Sequence, residues 1–174
     1  MQTTTATPTQ LTKEQPANLD SLVIKNLEQG TIRTIDQVLD NKKPSLAAYA
    51  QILHGSFPAG KMKIATNIQR WIFQINVKMG LKKPMTAESI RFASQVILED
   101  YSYLTPDDIV LWLTNVAKGN YTDIYGSALD GPTLLKTLKK YVNNRIDTAA
   151  ARSLRRHDNI QHQEKDVERV SNKR

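Results

Sequence analysis

Cysteine is absent from this 174-residue chain, and histidine occurs only three times. Without cysteine the chain can form no disulfide, thiol nucleophile or thiolate ligand for zinc or an iron–sulfur centre, and a reducing cytoplasm is the expected setting. His157 and His162 are five residues apart, so they lie on different faces of a helix. His54 stands at a predicted helix end, where it suits the helix dipole. We therefore predict no metal site and no cofactor.

Long apolar runs are also absent. No stretch approaches the ~18 apolar residues of a membrane span. The first 18 residues, MQTTTATPTQLTKEQPAN, lack the apolar core of a signal peptide. These features predict a soluble cytoplasmic protein with no membrane partner.

Catalytic motifs are missing as well. The carboxylate pairs Glu99–Asp100 and Asp107–Asp108 are adjacent residues, whose side chains point about 100° apart on a helix. The glycine-containing segment 119–126 lacks the spacing and the Gly-Lys-Ser/Thr ending of a phosphate loop. The sequence thus predicts a protein that is not an enzyme.

What the chain does contain is helical periodicity from residue 19 onward, with no alternating run typical of a strand. The pattern predicts an all-α fold, a single compact bundle of six to seven helices spanning residues 19–147. Residues 1–18 are predicted to be disordered because they are polar and poor in apolar residues. Residues 148–174 are predicted to form a basic tail, either helical or disordered. The helices are expected over residues 19–28, 31–40, 45–54, 58–79, 86–101, 105–118 and 130–145.

The stretch from Thr105 to Arg145 carries the clearest local signals. Thr105 is a good N-cap, and Pro106 suits the first helical position. Asp107 and Asp108 place negative charge at the positive end of the helix dipole. Gly119 stands where a left-handed residue ends a helix. Three large aromatic residues on apolar stripes are predicted to lie in the core: Trp71, Trp112 and Tyr141.

Charge is segregated along the chain, which has a formal net charge of +7. Residues 61–91 and 136–156 each carry seven basic residues against one acidic residue, whereas residues 99–130 carry six acidic residues against one basic. Such basic segments favour contacts with a phosphate backbone. The alternative is that the basic and acidic segments neutralise each other on folding, or dock onto another protein.

A polar stripe on the predicted helix 58–79 favours the nucleic-acid interpretation. Lys63, Asn67, Arg70, Gln74 and Lys78 share one face, and amide side chains can also contact phosphates or bases. We predict a phosphate-contacting surface. Its residues are Lys63, Arg70, Lys78, Lys82, Lys83, Lys139, Lys140, Arg152, Arg155 and Arg156.

Two tyrosines in the segment 119–126 are candidate partner contacts. Tyrosine offers a rigid amphipathic face, so Tyr121 and Tyr125 are predicted to face a partner. The alternative is that both rings cover the edge of the core.

Several short motifs resemble those of a known group of proteins. They are Tyr101–Ile109 (YSYLTPDDI), Lys118–Gly126 (KGNYTDIYG), Leu129–Gly131, and the pair Tyr141 and Arg145. They resemble small helical proteins of unknown function that phages and mobile elements of Bacteroidetes-type bacteria encode. The resemblance covers about a quarter of the chain. It implies a role in DNA replication or packaging within a bacterial host cell.

Together these observations predict a non-enzymatic DNA-associated accessory protein of phage or mobile-element replication. Its helical body with a basic tail resembles, in architecture only, the small loaders that bring a replicative helicase to DNA. The alternative is a structural or assembly protein of a phage that binds other protein subunits through its charged patches.

Overall fold

The computed structural model describes residues 19–54, 57–81, 83–121 and 129–171, and these residues form helices only. The predicted all-α fold is therefore confirmed. None of the described helices is long and apolar enough to cross a membrane. The helices are α1 (Leu19–Gln29), α2 (Ile35–Asn41), α3 (Leu46–His54), α4 (Phe57–Lys78), α5 (Ala87–Asp100), α6 (Pro106–Ala117) and α7 (Gly131–Ser171).

Local capping explains most of the helix starts. The Thr105 side chain accepts a hydrogen bond from the Asp108 amide, as the sequence predicts. Thr86 caps α5 in the same way, and Asp130 accepts from the Thr133 amide at 2.7 Å. The helix predicted from residue 31 begins at Ile35 instead, because Thr34 forms a capping box with Gln37.

Helix α6 is the centre of the bundle. Every residue from Leu104 to Thr114 is buried, so this helix is covered on all sides. It contacts α1, α2, α4 and α7. Trp112 donates its indole N–H to Thr137 of α7 at 2.9 Å. The predicted core positions of Trp71, Trp112 and Tyr141 are confirmed, each being at most 2% exposed.

Helices α3 and α4 approach each other closely at Gly60. A Cβ atom built on Gly60 would lie 1.6 Å from the carbonyl oxygen of Ala50. No side chain fits at this distance, so the crossing of the two helices requires glycine.

Helix α7 is much longer than predicted. Leu134, Leu138 and Tyr141 bury its first half in the core, and the same helix continues to Ser171. The predicted tail from residue 148 therefore begins inside α7. Its 41 residues correspond to about 62 Å of helix. The predicted disorder of residues 1–18 lies outside the described residues.

Candidate nucleic-acid interface and charged clusters

Part of the polar stripe of α4 contacts α1. Arg70 forms an ion pair with Asp20 at 3.0 Å, and the same carboxylate accepts from the Trp71 indole at 2.9 Å. Lys78 donates to the carbonyl oxygen of Leu27 at 3.1 Å. Asn67 is buried. The other four stripe residues, Lys63, Arg70, Gln74 and Lys78, are exposed, so α1 contacts the stripe without covering it.

Some basic residues near α4 remain available to solvent. The Arg70 side chain is 62% exposed despite its ion pair. Lys63 is exposed on the surface of α4, and Lys83 is exposed in the segment that connects α4 to α5. Lys82 lies outside the described residues. The phosphate contacts predicted for these side chains stay a prediction.

Two predicted basic residues, Lys139 and Lys140, lie on the exposed side of the packed half of α7. Two others, Arg155 and Arg156, lie in its distal half, where residues 153–160 are all exposed. From residue 139 to residue 156 the helix rises about 26 Å. The fold therefore brings the predicted α7 cations onto one helix but in two separate groups.

Arg152 fastens the middle of α7 to α2. Its guanidinium donates to the Asp36 carbonyl at 3.2 Å and pairs with the Asp40 carboxylate. The hydrogen bond from Arg152 lowers the pKa of Asp40, and the charges of Arg156 and Lys42 act in the same direction. Arg152 is thus engaged within the chain, whereas its neighbour Arg156 points to solvent.

Tyr121 packs against the core. The side chain is only 9% exposed, and burial raises the pKa of Tyr121 to about 12. This burial favours the alternative that the ring covers the edge of the core, and the partner contact stays a prediction. Tyr125 lies outside the described residues.

The main feature that sequence reasoning missed is a buried carboxylate network at the start of α6. Asp108 is fully buried and accepts from the Thr105 amide at 2.8 Å and hydroxyl at 2.9 Å. Its other carboxylate oxygen accepts from the Tyr141 hydroxyl and from Nε of Arg145, both at 2.7 Å. Burial and the neighbouring Asp108 charge raise the pKa of Tyr141. The network therefore joins the start of α6 to α7.

Asp107, the adjacent carboxylate, holds a different neighbour. It accepts from Asn41, the last residue of α2, at 2.7 Å and from Lys43, just beyond α2, at 2.9 Å. The two carboxylates thus point to different partners, as the angular argument from sequence predicts. Both are engaged in holding helices together, which is a structural use of buried charge.

One sequence signal could have indicated this network. Tyr141 and Arg145 are one helical turn apart and fall on the stripe of α7 that carries Leu134 and Leu138. A guanidinium on a core stripe requires a buried acceptor. The sequence alone does not say which acidic residue supplies it.

Metal-ligating residues do not cluster in the part of the chain that the structure describes: no three His, Asp or Glu side chains there could hold one ion. His157 is exposed on α7, and the side chains of His54 and His162 lie outside those described.

Neither family models, curated proteins nor solved structures yield a match to this chain.

Proposed function

We propose that this protein is a non-enzymatic, DNA-associated accessory protein, and that α7 is the helix that contacts phosphates. The proposal extends to a cytoplasmic role in phage or mobile-element replication, similar to that of a helicase loader. That setting is supported by the motifs around Thr105–Ile109 and Lys118–Tyr121, which resemble proteins of such elements.

The exposed distal half of α7 is the observation that carries the proposal. Beyond Arg152, every described side chain up to Ile160 is exposed, although the backbone stays helical to Ser171. A helix that buries no face against its own domain commonly extends to another domain or another molecule. Arg155 and Arg156 lie on this part of α7, so the surface that it presents includes two adjacent guanidinium groups.

The charge along α7 fits a polyanion. Residues 136–156 carry seven basic residues against the single acidic Asp147. The exposed groups at Lys139–Lys140 and Arg155–Arg156 are about 26 Å apart along the axis, which equals the rise of seven to eight base pairs of duplex, at ~3.4 Å each. Lys140 and Arg155 are 15 residues apart, which places them about 60° from each other around the helix axis. A duplex lying along that side of α7 would therefore meet one cation of each group.

Fluorescence anisotropy with a labelled DNA duplex and a labelled single strand tests the proposal. The full chain is titrated at salt concentrations from ~50 to ~200 mM. We expect binding that weakens steeply with salt, because each phosphate contact releases a counterion. The double variant Arg155→Gln/Arg156→Gln should bind more weakly and reduce the slope of log K against log salt by about 1.8.

A matched control removes the same charge elsewhere. Lys25 on α1 and Arg91 on α5 are exposed and belong to neither basic group, so Lys25→Gln/Arg91→Gln should leave the slope unchanged. An equal loss in both double variants would mean that only net charge matters. No binding of either DNA at the lowest salt would refute the proposal.

A second candidate function is supported by exposed apolar side chains on α4. Phe73 and Val77 are one turn apart and are 53% and 61% exposed, and Met62 on the same helix is 72% exposed. Exposed aromatic and methionine side chains are enriched at protein interfaces. They favour the alternative of an assembly protein that binds other subunits.

Light scattering coupled to size-exclusion chromatography tests that alternative when the other subunit is a second copy of this chain. An oligomer that Phe73→Ser/Val77→Ser converts to a monomer, with DNA binding unchanged, would support it. A monomer at every concentration would argue against self-association through α4.

A further inference from the structure

An open cleft lies where three helices end. The last residues of α1, α4 and α6 converge there, together with the segment that leads into α2. Its volume is about 570 Å³, within the range of small-molecule sites. The polar side chains that line it are Glu28, Arg33, Lys78, Thr114 and Lys118.

The cleft is strongly basic. Three cationic side chains, those of Arg33, Lys78 and Lys118, face a single carboxylate, Glu28. Lys78 donates one hydrogen bond to the Leu27 carbonyl, which leaves its ammonium two further donors. Arg33 and Lys118 form no ion pair with any residue that the structure describes.

Thr114 lines the cleft, and its hydroxyl lies buried beneath the cleft surface. Thr114 is only 5% exposed. Among the described residues, its Oγ1 is the single buried side-chain oxygen or nitrogen atom that has no hydrogen-bond partner. A threonine inside a helix commonly bonds the carbonyl four residues earlier, which Thr114 does not do. A buried polar group without a partner costs free energy, so its presence beside three cations requires a reason.

Helix ends explain part of the charge but not this hydroxyl. The last carbonyls of α1, α4 and α6 carry partial negative charge, which cations near them offset. Lys78 serves Leu27 in that way. None of these carbonyl oxygens accepts a hydrogen bond from the Thr114 hydroxyl, and capping alone leaves Arg33 and Lys118 without an anionic partner.

We infer that this cleft binds a phosphate group, with Arg33, Lys78 and Lys118 as charged donors and with the Thr114 hydroxyl, once its side chain turns about χ1 toward the cleft, as a neutral donor. Guanidinium, ammonium and hydroxyl groups are the donors that phosphate oxygens commonly accept from. The phosphate is carried either by a small free compound or by the end of a nucleic-acid strand. This site is separate from α7 and does not rest on the function proposed for that helix.

Calorimetric titration of the full chain with inorganic pyrophosphate tests the inference. We expect saturable binding with one site per chain. Arg33→Gln and Lys118→Gln should each weaken the affinity at least ten-fold, and Thr114→Val at least five-fold. The control Arg91→Gln removes one charge on α5, away from the cleft, and should change the affinity less than two-fold.

Thr114→Val gives a second, opposite readout. Without ligand, the variant should melt at the same temperature as the parent chain or higher, because valine has the same shape and removes an unpartnered polar group. A variant that melts as well as the parent yet binds pyrophosphate more weakly identifies the hydroxyl as a ligand contact. Equal affinity in this variant would overturn the inference.

Two further outcomes would also overturn it: no saturable binding up to ~10 mM pyrophosphate, or an equal loss of affinity in Arg91→Gln. Competition with short oligonucleotides then distinguishes the sources of the phosphate. Displacement of pyrophosphate by a 5′-phosphorylated oligonucleotide, but not by its unphosphorylated form, assigns the site to a strand end. No displacement by either assigns it to a small free compound. Failure of α7 variants to bind DNA would leave this result unchanged.

Discussion

Asp108 is the residue on which the junction of α6 with α7 depends. It accepts four hydrogen bonds from Thr105, Tyr141 and Arg145 while fully buried. A buried carboxylate is stable only with partners of this kind. The residues that carry the phage-protein resemblance include all four members of this network, so that motif has a structural role in this chain.

The variant Asp108→Asn should destabilise the fold by about 3 kcal/mol, because it leaves the Arg145 guanidinium beside a neutral amide that cannot accept as many hydrogen bonds. Urea denaturation measures the change. The matched control Asp147→Asn alters an exposed carboxylate on α7 and should change stability by less than ~0.5 kcal/mol. Equal stability of the two variants would contradict a stabilising role for Asp108.

Tyr121 provides a pH-dependent prediction. Burial raises its pKa to about 12, whereas an unfolded tyrosine titrates near ~10. Between these values the folded state keeps the proton and the unfolded state loses it, so stability is fully present below pH ~10 and falls as pH rises toward 12. Phenylalanine has no proton to lose, so the free energy of unfolding of Tyr121→Phe should decrease by about 2–3 kcal/mol less over this pH range than that of the parent chain.

Urea midpoints of the parent chain and Tyr121→Phe, measured from pH ~9 to ~11.5, test this prediction. The parent chain should lose stability more steeply. Tyr101→Phe provides a control, since Tyr101 is partly exposed. If all three proteins show the same slope, the Tyr121 hydroxyl does not titrate as its burial requires.

At the scale of elements, the crossing of α3 and α4 depends on Gly60. Helix propensity favours alanine over glycine by about 1 kcal/mol, so Gly60→Ala would stabilise an isolated α4. In the fold, the added Cβ would meet the Ala50 carbonyl at 1.6 Å. We therefore expect a loss of more than ~2 kcal/mol, opposite in sign to the propensity effect.

Thermal melting of Gly60→Ala measures this effect, with Gly131→Ala as a graded comparison. At Gly131 the nearest atom to an added Cβ is the Ser89 carbonyl oxygen at 3.1 Å, so a smaller loss is expected. A stabilised Gly60→Ala variant would show that α3 and α4 do not cross as closely as described.

At the scale of the whole molecule, the two halves of α7 have different roles: the first half stabilises the fold, and the distal half is the proposed binding surface. Its last core contacts come from Tyr141, Val142 and Arg145, and Arg152 adds a link to α2. A chain that ends after Arg152 should therefore keep its helical bundle, with a melting temperature within ~3 °C of the parent chain. It should lose most of its affinity for DNA.

A chain that ends after Asn144 is the informative comparison. It lacks Arg145, so Asp108 loses its cationic partner and the bundle should melt at least ~6 °C lower. Circular dichroism measures both truncations. A large loss of stability in the longer chain would mean that the distal half of α7 contributes to the fold rather than to binding.

The sequence by itself determined the elements of this protein. The caps at Thr86 and Thr105, the glycine after α6 and the apolar stripe of α4 act over a few residues, and they predict α4, α5 and α6 nearly to their ends. The all-α class and the core positions of Trp71 and Trp112 follow from the same local patterns, because helical periodicity records which face is buried.

Only the tertiary structure decided how the polar residues are used. The α4 stripe contacts α1, which is 50 residues away in the chain at the Arg70–Asp20 pair. Asp108 meets Arg145 across 37 residues, and Arg152 meets Asp40 across 112. Ion pairs and hydrogen bonds depend on distances in the folded chain. The sequence around a charged residue therefore does not identify the residue that becomes its partner. The cleft around Thr114 arises in the same way, from the ends of three helices that only the fold places side by side.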